Sequence, residues 1–160
     1  MIKENTTARP SGVGVKRIQR AKDKEELIQK LISDQLGVFK EIWRVLLFAA
    51  QIGFKNGARE PLEDVDTSKG IDQSTFGNSP VWPGILYLMA LIEEDDTFCL
   101  GGSQKAEDLR IKIFQEYANG GLCILDKFFE DNTLDLDGIL KFIDLQSGKS
   151  KNLPNLDITI

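Results

Sequence analysis

A long apolar stretch between positions 39 and 55 places the strongest constraint on the fold. Apolar residues recur there with the 3.6-residue period of an α-helix, and more apolar residues fill the opposite side. A helix that is apolar nearly all round must be covered on most sides. We therefore predict that it is either the central helix of a core or one face of a dimer. The residues predicted to form this core or intersubunit surface are Trp43, Leu47 and Phe48.

Further helices are predicted along the rest of the chain, which shows no alternation of strands and helices. The first helix is predicted to begin at Asp23, which has capping-box spacing to Glu26, and to stop at Gly37. A later helix capped by Ser103 is predicted to be broken by the pair Gly120-Gly121. The predicted helical segments are 23–37, 39–55, 83–93, 103–117, 122–129 and 136–145. The predicted class is all-α, with room for a short extended segment near either terminus.

A chain of 160 residues is long enough for one domain with its own core. We predict a disordered leader at 1–12, a helical domain at 13–146 and a polar or extended tail at 147–160. The breaker-rich stretch 59–80 is predicted to be a long loop, either functional or mobile. No apolar run approaches the length of a membrane span, and the polar N-terminus lacks the apolar region of a signal peptide, so we predict a cytoplasmic protein that does not contact the membrane.

The chain contains no histidine. This excludes the usual Ser-His-Asp and Cys-His catalytic systems and removes the commonest ligand of zinc, copper and non-haem iron. Its two cysteines, Cys99 and Cys123, stand among apolar neighbours and are predicted to be inert core thiols. We predict that the protein is not an enzyme, that it has no catalytic residue and no metal site, and that it uses no cofactor.

Two stretches imitate cation sites. The loop from Thr133 to Asp144 matches a calcium loop at only part of its ligand positions, and helix capping explains the same residues. The acidic run 93–96 lacks the strand and the nearby lysine of a phosphodiesterase-type magnesium site, and is predicted to be solvated. Neither stretch is predicted to bind a metal.

The net charge of −5 hides a division along the chain. Residues 1–60 hold 12 Lys and Arg against 7 Asp and Glu, whereas residues 61–160 hold 8 against 18. Five cations within nine positions, just before the first helix, could contact several phosphates of DNA. The alternative is a basic arm that is simply solvated. The residues predicted to contact DNA phosphates are Lys16, Arg17, Arg20, Lys22 and Lys24.

Residues 17–27 and 45–61 together resemble a known family. The second stretch runs Val-Leu-Leu-Phe-Ala-Ala and continues into a set of residues at matching positions, which are Gly53, Phe54, Gly57, Arg59 and Pro61. The chain resembles the DNA phosphorothioation-associated protein 4 family, the small accessory proteins encoded beside DNA phosphorothioation (Dnd) systems. The likeness covers about residues 16–145, and it implies a role in bacterial antiviral defence through sulfur modification of DNA or restriction of unmodified DNA.

Three hypotheses follow from the residues and the resemblance together. The first is a non-enzymatic, DNA-associated accessory subunit of a phosphorothioation-linked restriction-modification system. The second is an adaptor that binds a larger nuclease or ATPase subunit without contacting DNA. The third is a transcriptional regulator of its own cluster. Their predicted partners are DNA, other phosphorothioation or restriction proteins, and a second copy of the chain in a homodimer.

Overall fold

The computed structural model describes residues 16–36, 38–77 and 81–148. The predicted leader at 1–12 and most of the predicted tail, from position 149 onward, lie outside these residues. Short 3-10 turns occur at 22–24, 67–69, 73–76 and 97–100. The described residues contain no β-strand, which confirms the all-α class. The five α-helices are α1 (Glu25–Leu31), α2 (Ile42–Asn56), α3 (Val81–Glu94), α4 (Gln104–Glu130) and α5 (Leu136–Gly148).

Helix α2 lies at the centre of the fold, as its all-round apolar sequence predicts. Val45 and Ala49 are completely buried and Leu46 nearly so. The most extensive helix–helix contact in the described chain joins α2 to α4. Gly57 ends α2 in the left-handed conformation, with a φ of 63°, where glycine avoids the strain of a side chain.

Helix α4 corrects the prediction that Gly120-Gly121 ends a helix, because it continues through both glycines to Glu130. The glycines allow the two central helices to approach closely. A Cβ atom on Gly121 would lie 1.8 Å from the carbonyl oxygen of Ala49 in α2. On the other side of the same crossing, a Cβ atom on Gly53 would lie 2.0 Å from the carbonyl oxygen of Tyr117. Glycine at positions 53 and 121 therefore allows the backbones of α2 and α4 to pack closely against each other.

The first helix is shorter than predicted. Asp23 makes no capping bond, α1 begins at Glu25, and it ends at Leu31, well before the predicted stop at Gly37, which lies outside the described residues. Asp23 instead accepts a hydrogen bond from the ammonium group of Lys24, at 2.8 Å. Local pairing with a lysine therefore replaces the capping box.

An extended segment precedes α1 and lies on the long loop. Ile18 exchanges backbone hydrogen bonds of 2.8 and 2.9 Å with Ile71 in an isolated antiparallel bridge. Ala21 forms a second such bridge with Val65, where the Lys22 amide donates to the Asp64 carbonyl oxygen at 3.0 Å. Ile18 is fully buried. The described part of the loop therefore forms a defined layer against the N-terminal segment.

The remaining helices pack around this centre through aromatic contacts and capped ends. Trp82 in α3 stacks on Phe76 with ring centroids 4.0 Å apart and meets Phe114 of α4 edge-on at 5.0 Å. Ser103 caps α4 through a 3.2 Å hydrogen bond from the Ala106 amide, as predicted. Asp135 accepts a 2.7 Å hydrogen bond from the Gly138 amide. This carboxylate, in the stretch that resembles a calcium loop, therefore caps the start of α5.

Candidate functional site

The five cations predicted to contact DNA all lie within 4 Å of a carboxylate of the same chain. One contact of each cation is 3.0 Å or shorter, and three of these five contacts reach residues distant in the sequence, which are Asp108, Asp72 and Asp64. Lys24 contacts two carboxylates, at 2.8 and 3.7 Å. The pairs are Lys16–Asp108, Arg17–Asp72, Arg20–Glu25, Lys22–Asp64, Lys24–Asp23 and Lys24–Asp126.

Two of the five cations are also buried. Arg20 is 8% exposed and Lys24 is 9% exposed. The guanidinium group of Arg20 donates to Glu25 at 2.9 Å and to the carbonyl oxygen of Lys69 at 2.5 Å. The hydrogen bond from Arg20 holds the pKa of the Glu25 carboxyl below its usual value. A phosphate would have to displace these partners before it could reach either side chain.

The basic segment therefore presents little unpaired positive charge. Lys16, Arg17 and Lys22 are about half exposed, but each forms an ion pair of 3.0 Å or shorter. The hydrogen bond from Lys16 lowers the pKa of Asp108, as expected for a charged pair. DNA contact by these residues stays a prediction, and their pairing argues against it.

The predicted core or intersubunit residues pack inside the chain. The Trp43 ring lies 5.9 Å from that of Phe76, and the Phe48 ring lies 5.3 Å from that of Phe39. Leu47 is partly buried against the same core. Of the two alternatives that the sequence left open, these contacts favour the core, and a homodimer through these residues stays a prediction.

Arg59, at the start of the long loop, joins three elements of the fold. Its Nε atom donates to Glu116 of α4 at 2.6 Å, and its Nη1 atom donates to Glu93 of α3 at 2.8 Å. Burial alone would lower the pKa of Arg59, but the bonds to Glu93 and Glu116 outweigh it and raise the pKa. Asn119 adds hydrogen bonds to the carbonyl oxygens of Glu60 and Pro61. The loop is therefore fixed to both helices at its first residues.

Tyr117 completes this cluster by donating its hydroxyl proton to Glu93. Burial, and then the hydrogen bond to Glu93, raise the pKa of Tyr117 to about 12. The hydrogen bonds from Tyr117 and Arg59 lower the pKa of Glu93. A neutral tyrosine and an ionised glutamate suit a structural clamp, since neither is poised to exchange a proton near neutral pH.

Helix α3 carries a regular row of exposed apolar side chains. Its buried face contacts the core through Trp82, Leu86, Met89 and Ala90. A second row, spaced four, three and four residues apart, lies on another face of the helix. Val81 is 65% exposed, Leu88 57% and Ile92 58%, whereas Ile85 packs partly against the core. We call this row the α3 seam, which consists of Val81, Ile85, Leu88 and Ile92.

Helix α5 carries a shorter row of the same kind. Leu136, Leu140 and Ile143 are spaced four and three residues apart, and Leu140 is 55% exposed. We call this row the α5 stripe. Sequence reasoning assigned these residues to apolar helices without a functional role. The sequence contains the spacing of both rows, but a second apolar face of a helix can equally be buried. Only the fold shows that the α3 seam and the α5 stripe are exposed.

The acidic run 93–96 lies where α3 ends. Asp95 adopts a positive φ of 49°, and Asp96 caps the next turn by accepting a 2.9 Å hydrogen bond from the Phe98 amide. Glu94 lies 3.9 Å from Arg59. Asp96 and Glu94 therefore contact groups of the same chain that fix the end of α3. Within the described ranges, no group of three or more acidic, cysteine or histidine side chains is arranged to hold a metal ion.

Both cysteines are free thiols. Cys99 is fully buried, and burial raises the pKa of the Cys123 thiol. A raised pKa leaves less of the reactive thiolate near neutral pH. Among the helices that the structure describes, none combines the length and hydrophobicity needed to cross a lipid bilayer.

Comparison with known proteins identifies a family. The family model described as DNA sulphur modification system-associated protein 4 matches residues 17–159. No curated protein and no solved structure matches the chain. The matched range includes Gly53, Gly57 and Arg59. Gly53 lets α2 pack closely on α4, Gly57 ends α2, and Arg59 binds Glu116 of α4. The chain belongs to the family of DNA sulphur modification system-associated protein 4, which confirms the resemblance seen in its sequence.

Proposed function

We propose that this chain is a non-enzymatic accessory subunit of a DNA sulphur modification system and that it acts by binding another protein of that system. The observation that carries this proposal is the α3 seam, whose Leu88 and Ile92 are 57% and 58% exposed. Scattered exposed apolar residues are normal, but a contiguous row is typical of a protein-binding surface. Family membership supports the other components of the system as partners.

The charges favour a protein partner over direct DNA contact. DNA binding depends on cations that neutralise several phosphates. The five candidate cations already pair with carboxylates, and two of them are buried. The whole chain carries a net charge of −5, which repels a polyanion at long range. The proposed role is therefore the adaptor rather than the DNA-contacting subunit.

Two measurements with the purified full-length chain test the proposal. The first is a pairwise binding assay against each other purified protein of the same system, and we expect at least one to bind. The second is an electrophoretic mobility shift with duplex DNA at two salt concentrations, where we expect no shift at either. DNA binding through the basic segment would instead give a shift that weakens about tenfold or more for a threefold rise in salt.

The two readouts separate the hypotheses. A DNA shift that Lys16→Ala and Lys22→Ala weaken, together with no bound protein, would overturn the adaptor and restore the DNA-contacting subunit. A shift with strong preference for one sequence over random duplex would indicate the regulator of its own cluster. Both substitutions remove half-exposed side chains, with 48% and 52% of the side chain accessible, so the fold should tolerate them.

A further inference from the structure

We infer that the α3 seam binds an amphipathic helix of the partner protein, and that this helix carries Lys or Arg where it meets the acidic end of α3. The inference rests on the proposed function and adds the site and the chemistry of the partner. It depends on three features of α3: the spacing of its exposed apolar residues, the sign of its charge, and its poor fit to the α3 helix of a second copy.

The spacing favours a helix as the bound element. The four seam residues, Val81, Ile85, Leu88 and Ile92, follow the alternation of three and four residues through which two helices interlock side chains. Ile85 packs partly on the core and anchors the row, while Leu88 and Ile92 expose more than half of their surface. Phe98 and Leu100, which follow α3, are also exposed and extend the apolar surface beyond the helix.

The charge of α3 specifies a basic partner. Val81–Glu94 contains no Lys or Arg, and four consecutive acidic residues, 93–96, form its last two positions and the two that follow it. The carbonyl end of a helix is itself partly negative, so it adds to the potential of these carboxylates. Arg59 offsets Glu93 and, more distantly, Glu94, but Asp95 and Asp96 are exposed beyond it. Cations on the bound helix would complement this end and speed association.

The α3 helix of a second copy fits this surface poorly. If two α3 helices paired in parallel, their acidic ends would lie side by side and repel. If they paired antiparallel, each acidic end would face the first turn of the other helix, where Val81, Trp82, Pro83 and Gly84 offer no cation. Both arrangements bring the apolar seams together, but neither places a cation at the acidic end, so the charge distribution disfavours α3–α3 pairing and favours a partner helix that carries Lys or Arg.

The test compares one seam variant with a matched control. Leu88→Asp places a charge in the α3 seam, whereas Leu140→Asp places the same charge in the α5 stripe at nearly equal exposure, 57% against 55%. Both proteins should keep the wild-type circular dichroism spectrum, because neither side chain belongs to the buried core. The dissociation constant of each is measured by calorimetry against the system protein that binds the wild type.

We expect Leu88→Asp to weaken binding at least about tenfold, as for a side chain central to an interface, and Leu140→Asp to leave it within about twofold. Asp95→Asn, which keeps a residue tolerant of positive φ, should weaken binding about two- to fivefold and reduce its dependence on salt. Wild-type affinity should fall as salt rises, because the acidic end attracts the partner.

The outcomes distinguish the site from the function. If a system protein binds but Leu88→Asp binds as tightly as the wild type, or Leu140→Asp is the weak binder, the α3 site is wrong and the adaptor role stands. If sedimentation shows a wild-type dimer that Leu88→Asp dissociates, a second copy occupies the seam and the inference fails. If no system protein binds the wild-type chain, the proposed function fails, and the inference fails with it.

Discussion

Replacing Gly121 by alanine should destabilise the protein, although alanine is the better helix former. In an unconstrained helix the change would stabilise by about 1 kcal/mol. Here the new Cβ atom would lie 1.8 Å from the Ala49 carbonyl oxygen, so reaching even 3.0 Å requires the two backbones to separate by at least 1.2 Å. Overpacking of this kind costs about 1–3 kcal/mol. Because rigid backbone is displaced, we expect a cost of about 3 kcal/mol, at the upper end of this range, and the propensity gain of about 1 kcal/mol reduces it to a net loss of about 2 kcal/mol.

Gly84 in α3 offers a matched control, since nothing lies within 4 Å of the position its Cβ atom would take. Gly84→Ala should therefore stabilise the chain by up to about 1 kcal/mol. For a chain of this size, Gly121→Ala should lower the thermal midpoint by about 4–8 °C and Gly84→Ala should raise it by a few degrees. Circular dichroism follows both variants, with a temperature scan for the thermal midpoint and a urea titration for the free energy of unfolding. Gly121→Ala as stable as the wild type would refute the close-packing explanation of the glycine pair.

Two further predictions concern polar clusters. Arg20→Met should cost about 2–3 kcal/mol in urea unfolding, because the partly buried Glu25 keeps only its hydrogen bond from Gln29 and the Lys69 carbonyl oxygen loses its arginine donor. Arg17 also forms an ion pair, but 44% of its side chain is exposed, so Arg17→Met should cost under about 1 kcal/mol. Equal losses of stability in the two variants would contradict the burial of Arg20. Tyr117 should titrate late in phenolate absorbance at high pH, since its pKa is raised to about 12. The native state holds this proton more tightly than the unfolded state, whose tyrosine pKa is about 10. The resulting stability is present below about pH 10 and is lost as the pH rises through about 12. Tyr117→Phe should remove the late component, and a late component that persists in this variant would contradict its assignment to the buried Tyr117.

The sequence was sufficient where the deciding interactions are local. The 3.6-residue period between positions 39 and 55 predicts an apolar helix, and the structure confirms that helix with bounds of Ile42–Asn56. Gly57 as its end and Ser103 as the cap of α4 are also confirmed. In each case the residues that determine the feature lie within one or two helical turns of each other, so a pattern in the sequence contains the physical cause.

Gly120-Gly121 shows why a local pattern can mislead. Two adjacent glycines weaken a helix by propensity, and on that basis a break was predicted. The structure continues the helix because α2 and α4 approach so closely that Gly121 faces the Ala49 carbonyl. That neighbour is far away in the sequence, so no reading of the α4 segment alone could reveal it. Tertiary packing outweighed propensity at this position.

The charge division along the chain has a similar explanation. The basic N-terminal segment and part of the acidic remainder are the two sides of one set of ion pairs, such as Lys16–Asp108 and Lys22–Asp64. Exposed pairs of this kind contribute little stability individually, so their main effect is on the surface potential. Pairing removes the apparent patch of positive charge, whereas Asp95 and Asp96 at the end of α3 stay exposed beyond the contacts of Arg59 with Glu93 and Glu94. A surface that is apolar along α3 and negative at its end disfavours a polyanion and suits a basic, amphipathic protein segment.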